Sequence, residues 1–214
     1  MIGIIDYGMG NLRSVQKALE RLDVQSEILS SPNELKDVDG VILPGVGAFR
    51  DAIGELQRHD FVKAIRETVA SEKPLLGICL GQQLLFETSY EDGTYEGLGI
   101  LEGDVVRFQP EPTIKIPHMG WNSLEIQQQT PLFSGLASGD YVYFVHGYFV
   151  QPKDSSVIAA TTTHGSQEFV SAIASGNVYA TQFHPEKSQR IGLQLLKNFA
   201  NLVASRNFAG TTES

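Results

Sequence analysis

From its N-terminus the chain alternates short apolar runs with stretches whose apolar residues recur every three or four positions. Gly3-Ile4-Ile5-Asp6-Tyr7, ended by Gly8, has the look of a buried strand. Leu12, Val15, Leu19 and Leu22 then fall on one helical face, with Asn11 placed to cap it. Val24 to Leu29 is the next strand. Ser31-Pro32-Asn33-Glu34 joins a capping residue, Pro at the first helical position and Glu at the third, and should open a short helix. Val41-Ile42-Leu43 is a strand broken by Pro44 and Gly45. Asp60 caps a helix carrying Phe61, Ile65 and Val69. Leu75 to Ile78 is a fourth strand, followed at once by Cys79 and a helix from about Gly81 to Glu87.

Strand–helix units with short connections predict an α/β fold: an open, mostly parallel, flavodoxin-like sheet with helices on both faces. From about Gly99 to Gln182 the pattern changes. Val105–Phe108, Tyr141–Val150, Val157–Thr163, Glu168–Ala174 and Val178–Gln182 read as strands without long helices between them, hence an antiparallel or mixed extension of the sheet. Ser188 caps a last helix with Ile191, Leu195, Phe199 and Leu202 on one face. With no linker or repeat, residues 1–209 read as a single domain and 210–214 as a flexible tail.

The 214 residues suffice for one well-buried domain. A net charge of −9 without a Lys/Arg run argues against nucleic acid and against an anionic membrane surface. No apolar run approaches a membrane span, and the N-terminus lacks the basic region of a signal peptide. One cysteine forbids an internal disulfide and fits a reducing, cytoplasmic setting. No metal or cofactor is called for.

That cysteine lies in Gly77-Ile78-Cys79-Leu80-Gly81, where a strand enters, glycines flank at i−2 and i+2, and a helix leaves. This is the nucleophile-elbow pattern: the glycines permit a turn too tight for larger side chains, and the helix start favours the reactive thiolate. Alone, the segment also suits a buried structural cysteine. A nucleophilic thiol needs a base that takes its proton and returns it to the leaving amine, and a carboxylate to orient that base. Phe183-His184-Pro185-Glu186 offers both, with His184 and Glu186 two residues apart in an extended segment and Pro185 stiffening the link. Alternatively His184 merely ends a strand and Glu186 favours the last helix. Pro44-Gly45-Val46-Gly47-Ala48 ends a strand expected beside the Cys79 strand. Its glycines free the Val46 peptide to turn an N–H toward an oxyanion, with the Leu80 amide as a second donor.

Oxyanion loop, nucleophile and base–acid pair, in that order, resemble the triad type of class I glutamine amidotransferases over the whole chain. The resemblance implies L-glutamine as substrate and an ammonia-using synthase as partner. Asp6-Tyr7-Gly8-Met9-Gly10-Asn11-Leu12, Pro117-His118-Met119-Gly120-Trp121-Asn122 and Tyr143-Phe144-Val145-His146-Gly147-Tyr148 narrow it to a branch whose partner is a (β/α)8-barrel cyclase subunit. By the same resemblance Gln83 holds the substrate's polar end, backbone groups of Gly147 and Tyr148 face its α-amino and α-carboxylate groups, and Glu91 contacts the ammonium. Gln82 stands where the family usually has Met; its similar length should let it be tolerated, although it could perturb the pocket floor. Asn11, a loop carrying His118, Trp121 and Asn122, and Lys187 are candidates for facing the partner. His146 is expected to be structural or partner-facing, and His59 and His164 to be surface residues. The rival readings are the glutaminase of another amidotransferase, a stand-alone cysteine hydrolase on this scaffold, and a non-catalytic subunit that has kept the fold.

Overall fold

A computed structural model describes residues 1–209; residues 210–214, expected to form a flexible tail, lie outside the described residues. In the first half β1 (Ile2–Ile5), α1 (Leu12–Glu20), β2 (Ser26–Leu29), β3 (Gly40–Gly45), α2 (Phe49–Arg58), α3 (Phe61–Ala70), β4 (Leu75–Cys79) and α4 (Leu80–Leu84) follow in order. Next come β5 (Phe86–Ser89), β6 (Tyr95–Glu96), β7 (Leu101–Arg107), β8 (His118–Ser123), β9 (Glu125–Ile126), β10 (Tyr141–His146) and β11 (Tyr148–Pro152). The last elements are β12 (Ile158–His164), β13 (Gln167–Ser175), β14 (Val178–Thr181) and α5 (Gln189–Ala209).

The main sheet runs β2-β1-β3-β4-β14-β13-β12-β9. Its first five strands are parallel, in the flavodoxin-like order, and β13, β12 and β9 extend it antiparallel. Strand residues alternate between two cores, as a sheet covered on both faces requires. Ile2, Ile4, Ile42, Leu76 and Ile78 pack with Val15 and Leu19 of α1 and Leu195 and Phe199 of α5. Ile5, Val41, Leu43 and Leu75 pack with Phe49, Ile53 and Leu56 of α2, Phe61 and Ile65 of α3, and Leu84 of α4.

Several expectations are corrected. Asn11 and Asp60 precede helices but make no side-chain cap, and Asp60 has φ 59°. The Ser31 N–H is accepted by Glu34 at 2.9 Å as expected, yet the helix it opens is 310. The helix after Cys79 stops at Leu84, because Phe86–Ser89 pairs as a strand with β7 and β6. The run Tyr141–Val150 is two strands divided at Gly147. β10 pairs with β8 and β11 with β7, so these strands form two separate small sheets beside the main one.

Candidate active site

Parallel pairing of β3, β4 and β14 brings three chain segments to one sheet edge. Gly45 lies opposite Cys79 and Thr181 opposite Ile78, so the oxyanion loop and the His184 segment leave their strands on either side of the cysteine. Cys79 is the strained point, at φ 55° and ψ −108°, a region that residues with a Cβ occupy only when their surroundings fix them. Gly81 is what permits the turn: a Cβ there would lie 2.0 Å from the Leu43 carbonyl oxygen. Because that oxygen belongs to a central strand, neither side can yield. Gly81→Ala is therefore expected to destabilise the fold by about 3 kcal/mol or more, seen as a Tm lowered by several degrees. A native-like melting curve would show that the elbow tolerates a side chain.

His184 Nδ1 lies 2.8 Å from Glu186 Oε1, and both side chains are almost wholly buried. The pair is not built from an extended segment as the spacing suggested. Pro185–Lys187 forms a 310 turn that folds Glu186 back onto the imidazole, while the His184 N–H donates to the Tyr143 carbonyl and Ser188 Oγ donates to the His184 carbonyl. His184 Nε2 and Glu186 Oε2 have no partner at hydrogen-bond distance among the described residues. Burial pulls the imidazolium pKa down, but the Cys79 sulfur and the Glu186 carboxylate outweigh it and hold the value up, at about 10.

The folded pKa thus stands above the ordinary 6.5. Stabilisation from this pair is complete below about pH 6.5 and is lost as the pH rises through about 10. The urea midpoint is expected to fall across that window, and to fall less in Glu186→Gln. Equal slopes in the two proteins would remove the pair as the cause.

A cavity of about 170 Å³ opens in front of these groups. Cys79, His184, Val46, Gly47, Leu80, Gln83, Glu91, Gly147 and Tyr148 all line it, so the expected triad, oxyanion and substrate residues converge, except that Glu186 and Gly45 lie behind the wall. Gly45 packs against the elbow, where a Cβ would meet the Tyr7 hydroxyl, Leu80 and Gly81. Gly47 has φ 95°, the left-handed conformation that only glycine adopts freely. Burial pushes the Glu91 carboxyl up even though Oε2 accepts the Phe49 N–H at 2.7 Å. Val145, His146 and the buried Tyr7, whose hydroxyl donates to the Pro44 carbonyl at 3.0 Å, belong to the same surroundings; they lie in the segments that carry the resemblance, but no site role was read for them. Burial and the Cys79 sulfur push the Tyr7 phenol well above its ordinary value. Gln82 is fully buried, donates toward the Val170 carbonyl at 3.4 Å and does not line the cavity.

His118 and Asn122 do not face outward. The segment expected to be a loop is β8, whose alternation sends His118, Gly120 and Asn122 inward and Met119 and Trp121 outward. Burial pushes His118 down to about 4 and His146 to about 3, so both rings are neutral and each carries one N–H. His146 Nδ1 therefore donates to the Tyr148 carbonyl at 2.8 Å, and its Nε2 accepts from His118 Nδ1 at 3.2 Å. His118 Nε2 in turn accepts from Asn122 Nδ2 at 3.3 Å. Asn122 is otherwise committed to the Thr163 carbonyl and the Ser123 N–H. His164, expected at the surface, is half-buried with its ring centroid 4.2 Å from that of His118. His59 is exposed as expected, and Asn11 is half-buried. Lys187 is exposed, 5.9 Å over the Tyr143 ring, and Trp121 meets the same ring edge-on.

The family model for class-I glutamine amidotransferases matches residues 3–202. The chain belongs to this family. It is 54% identical over 200 residues to the imidazole glycerol phosphate synthase subunit HisH of Rhodopirellula baltica, covering 94% of this chain and 97% of that one. To the HisH subunit of Syntrophotalea carbinolica it is 51% identical over 207 residues, covering 94% and 100%. The solved structure of PurLQS from Thermotoga maritima matches with a TM-score of 0.73, covering 94% of this chain and 98% of that one. At 20% identity it bears on the amidotransferase's fold alone.

Proposed function

We propose that this amidotransferase is the glutaminase subunit of an imidazole glycerol phosphate synthase. It hydrolyses L-glutamine to L-glutamate and ammonia, and passes the ammonia to a (β/α)8-barrel cyclase partner that makes imidazole glycerol phosphate and AICAR in histidine biosynthesis. The observation that carries the reading is one cavity in which a strained cysteine, the open nitrogen of a carboxylate-bound histidine and a glycine loop face the same space. The branch of the family follows from the HisH relatives.

In this mechanism Cys79 gives its proton to His184 Nε2 and its sulfur attacks the carboxamide carbon. The carbonyl oxygen becomes an oxyanion held by the Val46, Gly47 and Leu80 amides. Collapse breaks the C–N bond, and the leaving ammonia takes the proton from His184. Glu186, still bound to Nδ1, supports the imidazolium while it holds this proton for the amine. Water then gives a proton to His184 and attacks the thioester, releasing glutamate and the thiolate. Gln83, Glu91, Gly147 and Tyr148 hold the amino-acid end.

For the partner, the support is a rim of exposed apolar side chains: Met119 at 63%, Trp121 at 45% and Tyr141 at 59% of full exposure. Ladder pairing of Tyr143 with Trp121 puts these side chains on one face of the β8–β10 sheet, with Lys187 above it. Such a patch marks a protein interface. Residues 1–209 act as one domain in this reading, in the cytoplasm, where a catalytic thiol stays reduced. No described helix is long and apolar enough to cross a membrane. The test is to purify the chain from its own cells, identify what accompanies it, and measure glutamate and ammonia release. A cyclase partner with glutamine hydrolysis is expected; a complex that cannot hydrolyse glutamine would overturn the proposal.

A further inference from the structure

We propose that Gln182 acts on the nucleophile itself, its side-chain amide donating to the Cys79 sulfur and favouring the thiolate. This rests on the reading of Cys79 as the nucleophile. Gln182 follows β14 and is fully buried, and its Nε2 lies 3.7 Å from Cys79 Sγ. The orientation of the amide follows from its neighbours. The Tyr148 carbonyl can only accept, so the Gln83 nitrogen 2.9 Å away donates to it. That same nitrogen is 3.0 Å from the nearer side-chain atom of Gln182, which must then be the acceptor oxygen. What remains for the sulfur is an N–H. The Tyr148 carbonyl that starts this chain is itself held by His146 Nδ1 at 2.8 Å.

Besides His184, the base, the sulfur has the Val145 carbonyl at 3.9 Å, which can accept only from the thiol S–H. Val145 therefore serves the protonated sulfur and Gln182 the anion. A buried donor to an anionic acceptor is among the stronger hydrogen bonds, because no water replaces it when it is lost. Nothing in the triad motif marks this role.

Two substitutions separate it from a packing role. Gln182→Met keeps the length and removes both the donor to the sulfur and the oxygen that accepts from Gln83. Gln182→Glu keeps an oxygen for Gln83 and puts an acceptor against the sulfur. The other titratable groups around Cys79, namely His184, Tyr7, His146 and Glu91, are unchanged in both. Cys79 is the sole thiol, so alkylation of the full chain by iodoacetamide reads it alone. The pH midpoint of alkylation is expected to rise by about one unit in Gln182→Met and further in Gln182→Glu. In the complex with the synthase partner, kcat for glutamine hydrolysis should fall about tenfold in Gln182→Glu, which keeps the acceptor for Gln83, with KM changed by less than about twofold. Native midpoints in variants that melt like the native protein would overturn the proposal, and either folded variant alone decides it. In parallel the native chain is treated with a glutamine-mimicking chloroketone. If that reagent fails to modify Cys79, the nucleophile reading falls; if it succeeds and the midpoints do not move, only the role of Gln182 falls.

Discussion

Cys79→Ser is expected to lose glutamine hydrolysis by about 10⁴-fold or more while keeping its fold and its partner. The serine oxygen fits wherever the sulfur does, so the strained elbow at φ 55° and the cavity are unchanged. What is lost is the sulfur, a far better nucleophile toward the carboxamide than a serine hydroxyl. His184→Ala should cost nearly as much, because the sulfur, the imidazole and the carboxylate act as a unit and removing one member idles the others. Glu186→Ala should cost less, since it orients and supports the imidazole without touching substrate. The double variant Cys79→Ser/His184→Ala should be hardly worse than either single one. Turnover of added ammonia by the partner should survive all of these changes, because the damage is confined to ammonia production. Steady-state glutamate release measures the first set and ammonia-dependent product formation the second. Release by Cys79→Ser at even a tenth of the native rate would remove the thioester from the mechanism, and losses that multiply in the double variant would break up the triad.

The parts of this site that the sequence revealed are those whose chemistry is written into neighbouring residues. An elbow needs two glycines within five positions, and Gly81 is needed because its Cα faces the Leu43 carbonyl. The parallel strands were legible because a strand buried on both faces is an uninterrupted apolar run, as Val41–Leu43 and Leu75–Ile78 are. α2 was not anticipated. Its Phe49, Ala52, Ile53 and Leu56 have helical spacing, but it starts from Ala48 directly after the glycine loop, with no capping side chain to announce it. β8 was hidden because Gly120 interrupts a short run of mixed polarity, and reading it as a loop concealed that His118 and Trp121 point to opposite faces. The split of Tyr141–Val150 at Gly147 depends on which strands pair across tens of residues, which local periodicity does not encode. Gln182 escaped for the same reason: its partners, Cys79 and Gln83, are about a hundred positions away.

Glutamate release is expected to be about 10²–10³ lower in the isolated chain than in the complex with its synthase and the acceptor nucleotide bound. Releasing ammonia without an acceptor wastes glutamine, and the fold holds a physical means of preventing it. The Val46 peptide enters a glycine with φ 95°, so the Val46–Gly47 unit can rotate where a bulkier residue would be strained. One orientation aims an N–H at the oxyanion and the other aims a C=O at it, which would repel the intermediate. One oxyanion donor is worth about 3–4 kcal/mol, and the energy needed to bias two peptide orientations lies within ordinary coupling between sites. The lever is within reach of a partner, since Val46 is itself exposed and a Cβ on Gly47 would touch the end of the Met9 side chain. Gly47→Ala, which penalises the left-handed conformation, should change the ratio of complexed to isolated activity more than it changes the stability of the complex. The decisive comparison is glutamate release by the chain alone, by the complex, and by the complex with acceptor. Equal rates in the three states would sink the switch and favour a stand-alone hydrolase, whereas a rise only on acceptor binding would place the signal in the partner's occupied site.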